Sequence, residues 1–517
     1  MIQCMRCTIG VQSFKKIRDN QFLYVDKTAL VYELANSGGS YFLSRPRRFG
    51  KSLLISTFEA YFKGQKELFE GLAIEQLEKD WIAYPVLHID LNAEKFDAPE
   101  QLDALLSNQL TQWEEIYGKG KDETTLSLRF KGVIRRAAEQ TGHPAVVLVD
   151  EYDKPLLQSL HKEALHSAYK DTLKAFYGVL KSADQYLRFY LLTGVTKFSQ
   201  VSVFSDLNQL NDISMDKRYN EICGLTWQEI ADNFEPELKE LAEDNDLTPE
   251  ETRETMTRLY DGYHFMFGQE GIFNPFSVLN VLDRSQFDNY WFKTGTPTFL
   301  VELLKKTDYD LRDIDGVQMA VDGFADYRAD VQRPIPVIYQ SGYLTIKDYD
   351  KEFRLYTLGF PNEEVKYGFL SFIAPFYTAI PSTESPFYIS RFVIELESGD
   401  VDAFMERLRA FFADIPYELN DKTERHYQAV FYLVFKLMGQ FTEAEVRSAR
   451  GRADAVVKTR DYIYVFEFKL DGTVEEALRQ IDDKGYLIPY QSDGRQLIKV
   501  GANFSAEERN IENWTSQ

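Results

Sequence analysis

Along the first 215 residues, short runs that are apolar at nearly every position alternate with longer stretches whose apolar residues recur every three to four positions. The runs are SYFLS at 40–44, YPVLHIDLN at 84–92, PAVVLVDEYD at 144–153 and LRFYLLTGV at 187–195. Between them the spacing predicts helices over 26–37, 51–63, 99–117, 124–141 and 163–183; Leu53, Leu54, Phe58, Tyr61 and Phe62 share the apolar face of the second. Strands without polar alternation are covered on both faces, so this region predicts a parallel sheet flanked by helices. Past about 215 the pattern is mostly helical. Residues 335–361 predict a helix and then a hairpin turning near Asp348–Lys351, a winged-helix-like unit. STESP at 382–386 is a candidate linker. A last unit then reads as a helix (423–439), strands at 443–448, 453–458 and 462–470, a helix (473–486) and a strand (496–504). There is no internal repeat and no low-complexity segment.

Composition narrows the class. No run of eighteen apolar residues is present, which argues against a transmembrane helix, and MIQCMRCTIG lacks the layout of a signal peptide. Three cysteines in 517 residues make no disulfide framework, so a cytoplasmic protein is expected. Cys4 and Cys7 form a C-x-x-C without a second pair at zinc spacing. The net charge of −22 argues against coating nucleic acid by bulk electrostatics. That charge is uneven: residues 421–517 hold fourteen Lys+Arg against sixteen Asp+Glu, or −2, and the first 420 residues carry the other −20.

The chemistry starts at Gly50-Lys51-Ser52, in YFLSRPRRFGKSLLISTFEAYF. The triplet alone is common by chance, but this one lies between a buried strand and a helix. There loop amides and a helix N-terminus converge on phosphate. Lys51 is suited to the β- and γ-phosphates of a nucleoside triphosphate, and Ser52 to its Mg²⁺. VVLVDE ends in Asp150, placed to hold the magnesium shell, and Glu151, placed to orient or deprotonate the attacking water. A strand lies between the two motifs, and a later one ends near the polar Thr193, a candidate sensor. Arg47 and Arg48 add positive charge near the phosphates. Arg45 departs from the pattern G-x-x-x-x-G-K-[ST], whose first glycine often makes a turn with positive φ. The bland alternative is a basic loop capping a helix and a core strand with solvated acids.

The second constellation lies in YIYVFEFKL, 462–470. Glu467 and Lys469, two apart on an apolar strand, point to one face. Buried charges are costly unless paired or used. Asp454 sits thirteen residues before Glu467, in a strand expected to pair alongside. Asp454 and Glu467 would bind a hard cation such as Mg²⁺, helped by the Phe468 carbonyl. Lys469 would position water or stabilise charge on phosphorus, and Gln480, on the next helix, could steady it. The bland alternative is a buried Lys469–Asp454 salt bridge.

Five segments carry a resemblance: GVQSFKKIRDNQFLYVDKT, FLSRPRRFGKSLL, VVLVDEYDKPLL, TGVTKFSQVSVFSDLNQLNDIS and YDGYHF…FNPFSVLNVL. They look like the bacterial AAA-ATPase-like family, similar to the archaeal-type ATPases of the AAA+/STAND group, whose loop reads G-x-R-R-x-G-K-[ST]. Arg47, Arg48, Gly50, Lys51 and Ser52 match that loop, and only its opening glycine is lost. The resemblance implies ATP-site roles for Lys51, Ser52, Asp150 and Glu151. The order G-R-x-D, E-x-K, then a helical Q-I resembles the PD-(D/E)xK nuclease superfamily, with Ala453 in place of proline. Glu424 or Glu445 could supply the acid that often precedes that core, and Arg447, Arg450 and Arg452 could meet phosphates. The expected architecture is α/β: a P-loop NTPase domain at 1–215, a helical lid and winged-helix-like region at 216–381, and a linker with a restriction-endonuclease-like domain at 382–517, core 421–512. The expected activity is ATP binding and hydrolysis coupled to Mg²⁺-dependent cleavage of nucleic acid, DNA favoured, with no membrane partner and homo-oligomerisation left open. The alternative is an ATP-dependent switch or scaffold whose C-terminal domain binds nucleic acid or protein without cleavage.

Overall fold

The computed structural model describes residues 8–160, 162–196, 210–292, 300, 303–304, 307, 309–320, 323–324, 334–378, 384–415, 424–446 and 453–517. The chain forms two compact units, Met1–Gly295 with Gln318–Glu364, and Thr296–Val317 with Val365–Gln517. Cys4, Cys7, Arg447, Arg450 and Arg452 lie outside the described residues, as do the side chains of Glu424 and Glu445.

The first unit is built on a parallel sheet. Its strands are β1 (Ser40–Ser44), β2 (Val86–Asp90), β3 (Ala145–Asp150), β4 (Leu187–Gly194) and β5 (Asn211–Asp212), in the order β2-β3-β4-β1-β5. All six residues of β3 are buried, as expected of a strand covered on both faces. The register sets Ser44 beside Gly194, Leu43 beside Thr193 and Asp90 beside Asp150, so polar groups gather where the strands end. Helix α1 (Lys51–Phe62) follows β1 and packs Phe58 and Phe62 on Phe189 of β4, with ring centroids 5.2 and 5.0 Å apart. The helix expected over 163–183 is divided by Gly178 into Glu163–Tyr177 and Val179–Ser182.

Helices Trp227–Asn233, Glu235–Asp244, Pro249–Tyr260 and α2 (Pro275–Arg284) enclose a core containing Leu241, Met256, Phe273 and Val278. The expected helix and hairpin follow as Ile335–Gln340, β6 (Thr345–Asp350) and β7 (Leu355–Gly359), paired antiparallel. The turn lies at 351–354, later than predicted. The Asp350 carboxylate accepts from the amides of Glu352 and Phe353, closing the turn after the strand.

In the second unit, helix α3 (Glu424–Met438) precedes β8 (Glu443–Val446), β9 (Ala455–Lys458) and β10 (Tyr462–Leu470). Helix α4 (Val474–Asp483), β11 (Gln496–Ser505) and β12 (Asn510–Ser516) complete it. The sheet order is β12-β11-β10-β9-β8; β10 and β11 run parallel, joined through α4, and the other pairs are antiparallel. Thr473 and Glu476 form a capping box that fixes the start of α4, whose Val474, Leu478 and Ile481 pack with Ile463 and Val465.

Candidate functional sites

The loop from β1 to α1 turns at residues other than the one the pattern suggested. Arg48 and Gly50 take left-handed backbone, with φ of 69° and 91°, whereas Arg45 does not. The expectation that position 45 needs such a turn is therefore not met. Arg45 is instead buried. Its guanidinium donates to the carbonyls of Ser44 (2.9 Å), Ser214 (2.8 Å) and Tyr219 (3.1 Å) and lies 3.9 Å from the centroid of Phe265. Burial lowers its pKa to about 10, which leaves it charged at neutral pH. It staples the end of β1 to the segment after β5. Arg47 and Arg48 are exposed; the Arg47 carbonyl accepts from the Trp291 indole at 3.1 Å, and the Arg48 guanidinium lies 5.0 Å from the Phe276 ring.

Lys51 opens α1 and is buried. Its Nζ donates to the carbonyls of Arg45 (3.1 Å) and Pro46 (3.2 Å) and pairs with Glu151 at 3.2 Å. Asp150 ends β3 and accepts from the Thr193 hydroxyl at 2.8 Å. Burial raises the Asp150 pKa, the neighbouring Glu151 charge adds to this, and the Ser52 and Thr193 hydroxyls oppose it. Glu151 stands in left-handed backbone with φ of 52°. Lys51, Ser52, Asp150, Glu151 and Thr193 are thus brought together from three elements. Hydroxyls beside a buried carboxylate, next to a lysine bonded to its own loop, fit a magnesium-bound triphosphate.

Two features here escaped the sequence. Asp153 is fully buried and accepts from the amides of Val195 and Thr196, directly after β4. A cavity of about 110 Å³ flanks Gly50 and the start of α1, lined by Tyr24, Val25, Leu53, Cys223 and Leu279 among others. Its walls come from segments far apart in the chain, so no local motif announces it. Burial raises the pKa of the Cys223 thiol.

In the second unit, Glu467 is buried in β10 and Lys469 Nζ pairs with its Oε1 at 2.9 Å. The same Nζ donates to Gln480 Oε1 on α4 at 2.6 Å, and Gln480 Nε2 donates to Glu467 Oε1. Asp454 lies directly before β9, where its Oδ2 accepts from the Phe468 amide at 2.9 Å. Lys469 therefore pairs with Glu467 and not with Asp454, as the salt-bridge alternative had it. Glu467 Oε2 is buried without a hydrogen-bond partner. Burial, and then the Asp454 charge, push the Glu467 pKa up to about 7. A buried carboxylate oxygen lacking a donor, next to a second acid, fits a hard divalent cation. Among the described residues no group of three or more His, Cys, Asp or Glu stands together to hold a metal, so these two carboxylates would need other oxygen ligands.

Residues 8–204 match the family model described as predicted AAA-ATPase, and residues 422–514 match the PD-(D/E)XK nuclease superfamily. The chain is also similar to an "Uncharacterized protein in vnfD 5'region" of Azotobacter chroococcum mcd 1, 35% identical over 516 residues and covering 97% of each chain. Among the described residues no helix is long and apolar enough to cross a membrane.

Proposed function

The chain belongs to the AAA-ATPase-like family and ends in a PD-(D/E)XK nuclease-superfamily domain, and from that premise we propose that it hydrolyses ATP in its first unit and cleaves nucleic acid, with DNA favoured, in its second. One observation carries the reading: in each unit a lysine and two carboxylates, contributed by two elements, gather around a buried acid, Asp150 in the first and Glu467 in the second. In the first, Lys51 would exchange the Arg45 and Pro46 carbonyls for β- and γ-phosphate oxygens, and exposed Arg47 and Arg48 would add positive charge. Ser52 and Asp150 would hold Mg²⁺, which supplies charge neutralisation on the phosphates when bound. Glu151, released from Lys51, would take the proton of the attacking water, and Thr193 would fix the Asp150 carboxylate. The apolar cavity beside Gly50 would receive the base.

In the second unit, Asp454 and Glu467 would hold Mg²⁺, which neutralises phosphodiester charge and acidifies a bound water. Lys469, kept in place by Gln480, would orient the attacking water. The protein would work in the cytoplasm. The test is radiolabelled ATP turnover and plasmid nicking by the full chain, each with and without Mg²⁺. Both activities are expected to require the ion. ATP turnover without nicking would replace the nuclease reading by an ATP-driven switch that binds its target without cutting, and absence of both would overturn the proposal.

A further inference from the structure

Glu151 carries a backbone conformation that glutamate disfavours. A left-handed non-glycine residue costs about 1 kcal/mol and persists only where its surroundings fix it. The residues that follow supply that fixation. The Tyr152 amide donates to the Thr193 carbonyl at 3.0 Å, and the Tyr152 hydroxyl to the Thr196 carbonyl at 2.8 Å. Asp153, 0% exposed, accepts three hydrogen bonds on Oδ2: from the Val195 amide (3.0 Å), the Thr196 amide (2.6 Å) and the Thr196 hydroxyl (2.7 Å). Its Oδ1 has no hydrogen-bond partner. Gly194 allows this approach. A Cβ there would lie 2.6 Å from Asp153 Oδ1 and 2.7 Å from the Tyr152 ring. Upstream, Thr193 holds Asp150 at 2.8 Å. Asp150, Tyr152 and Asp153 are thus each bonded to residues 193–196, whereas Glu151 between them meets the Lys51 ammonium through its side chain and the Lys154 amide, at 3.0 Å, through its carbonyl.

We propose that Asp153 is a positioning residue for the ATP hydrolysis assigned to Glu151: by fastening the turn to Val195 and Thr196, it holds Glu151 in its left-handed conformation beside Lys51. The inference rests on the ATPase reading above. The role is geometric. An asparagine can present its carbonyl oxygen to the same three donors and place its amide where Oδ1 has no partner.

The experiment is ATP turnover and ATP binding by the full chain carrying Asp153→Ala, Asp153→Asn or Gly194→Ala, with Glu151→Gln as control. Asp153→Ala is expected to lower kcat about 100-fold while ATP affinity stays within about threefold, because a misplaced base harms chemistry more than binding. Asp153→Asn should keep kcat within about threefold of the parent, and Gly194→Ala should fall toward Asp153→Ala. Thr196→Val removes one donor at nearly constant shape; if Asp153→Ala does not fold, its expected loss of about tenfold in kcat carries the test. A kcat for Asp153→Ala or Thr196→Val within threefold of the parent overturns the proposal, as does equal loss in Asp153→Asn and Asp153→Ala, or a loss of affinity matching the loss of kcat. If Glu151→Gln abolishes turnover while these variants do not, only the positioning role fails. A parent without ATP turnover, or one insensitive to Glu151→Gln, overturns the ATPase reading and this inference together.

Discussion

At the loop site Lys51 folds back on its own loop, donating to two backbone carbonyls and pairing with Glu151 at 3.2 Å; in the second unit Lys469 is held by Glu467 at 2.9 Å and by Gln480, from a helix, at 2.6 Å. Backbone carbonyls are neutral partners that a phosphate can displace, because an anionic oxygen adds Coulomb attraction to the bond the ammonium already makes. Gln480 belongs to α4, whose apolar face is packed, so one of the two partners of Lys469 is held by the fold. The acids differ too. Asp150 has the Thr193 hydroxyl, whereas Glu467 keeps one buried oxygen without a partner. The comparison separates a site whose groups rest on one another until phosphate competes from a site whose lysine is braced by a helix and whose buried acid keeps one oxygen without a donor. Substitutions in the first should divide binding from chemistry, and in the second pH and divalent ion should act on one carboxylate, Glu467.

The largest effect expected is Glu151→Gln. Loss of a general base costs about 100- to 10,000-fold in turnover, while the amide keeps the shape of the site, so ATP should still bind. A variant that turns over at the parent rate would exclude Glu151 as the base. The second site gives a parallel separation at smaller scale. Lys469→Ala should lower cleavage about 100-fold and retain divalent-ion binding, whereas Asp454→Ala should lose the ion. A purely structural ion pair predicts instead that both variants lose stability together, by about 3–5 kcal/mol, with no metal binding in the parent. Nicking, metal titration and melting curves on each variant distinguish these outcomes.

Arg45→Gly sharpens the account of the loop. Had Arg45 strained the turn, the glycine variant would bind ATP at least as well as the parent. With φ > 0 at Arg48 and Gly50 instead, and with the Arg45 guanidinium bonded to Ser214 and Tyr219, the variant should lose about 3 kcal/mol of stability through a cavity and orphaned carbonyls. Denaturant unfolding together with an ATP titration checks this. Unchanged stability with tighter ATP binding would mean that the staple is idle.

The residues that were legible in the sequence share a physical reason. Strands β1, β3, β4 and β10 are continuous apolar runs buried in their sheets, and Gly50-Lys51-Ser52, Asp150-Glu151 and Glu467-Lys469 each lie at a place that such a run defines. Strand β12, NIENWTS, is a polar edge strand with little burial, and β5 is two residues long, so neither leaves a periodic trace. Arg45 looked like a defect because its partners lie about 170 positions away, at Ser214 and Tyr219. Asp153 read as one more acid at a strand end, because the donors that bury it come from residues 195 and 196. What local pattern could not reveal was long-range hydrogen bonding by single charged side chains.

The smallest effect expected, and the one that best isolates the second site, concerns pH. The Glu467 carboxyl titrates near 7 in the folded chain, above its ordinary value of 4.5. The folded state therefore holds this proton more tightly than the unfolded state. Protonated Glu467 is accommodated at low pH, and the metal-free chain loses stability as pH rises from about 4.5 through about 7. Glutamine mimics the protonated form. With EDTA present, Glu467→Gln should match the parent at pH 5 and melt about 2 °C higher at pH 8. Mg²⁺ at pH 8 should reverse the order, because a cation compensates the carboxylate and finds no charge in the variant. Melting curves of the full chain under these four conditions decide it. Parallel pH dependence in parent and variant, or equal stabilisation of both by Mg²⁺, would show that Glu467 does not face the ion, and with it the assignment of the second site would fall.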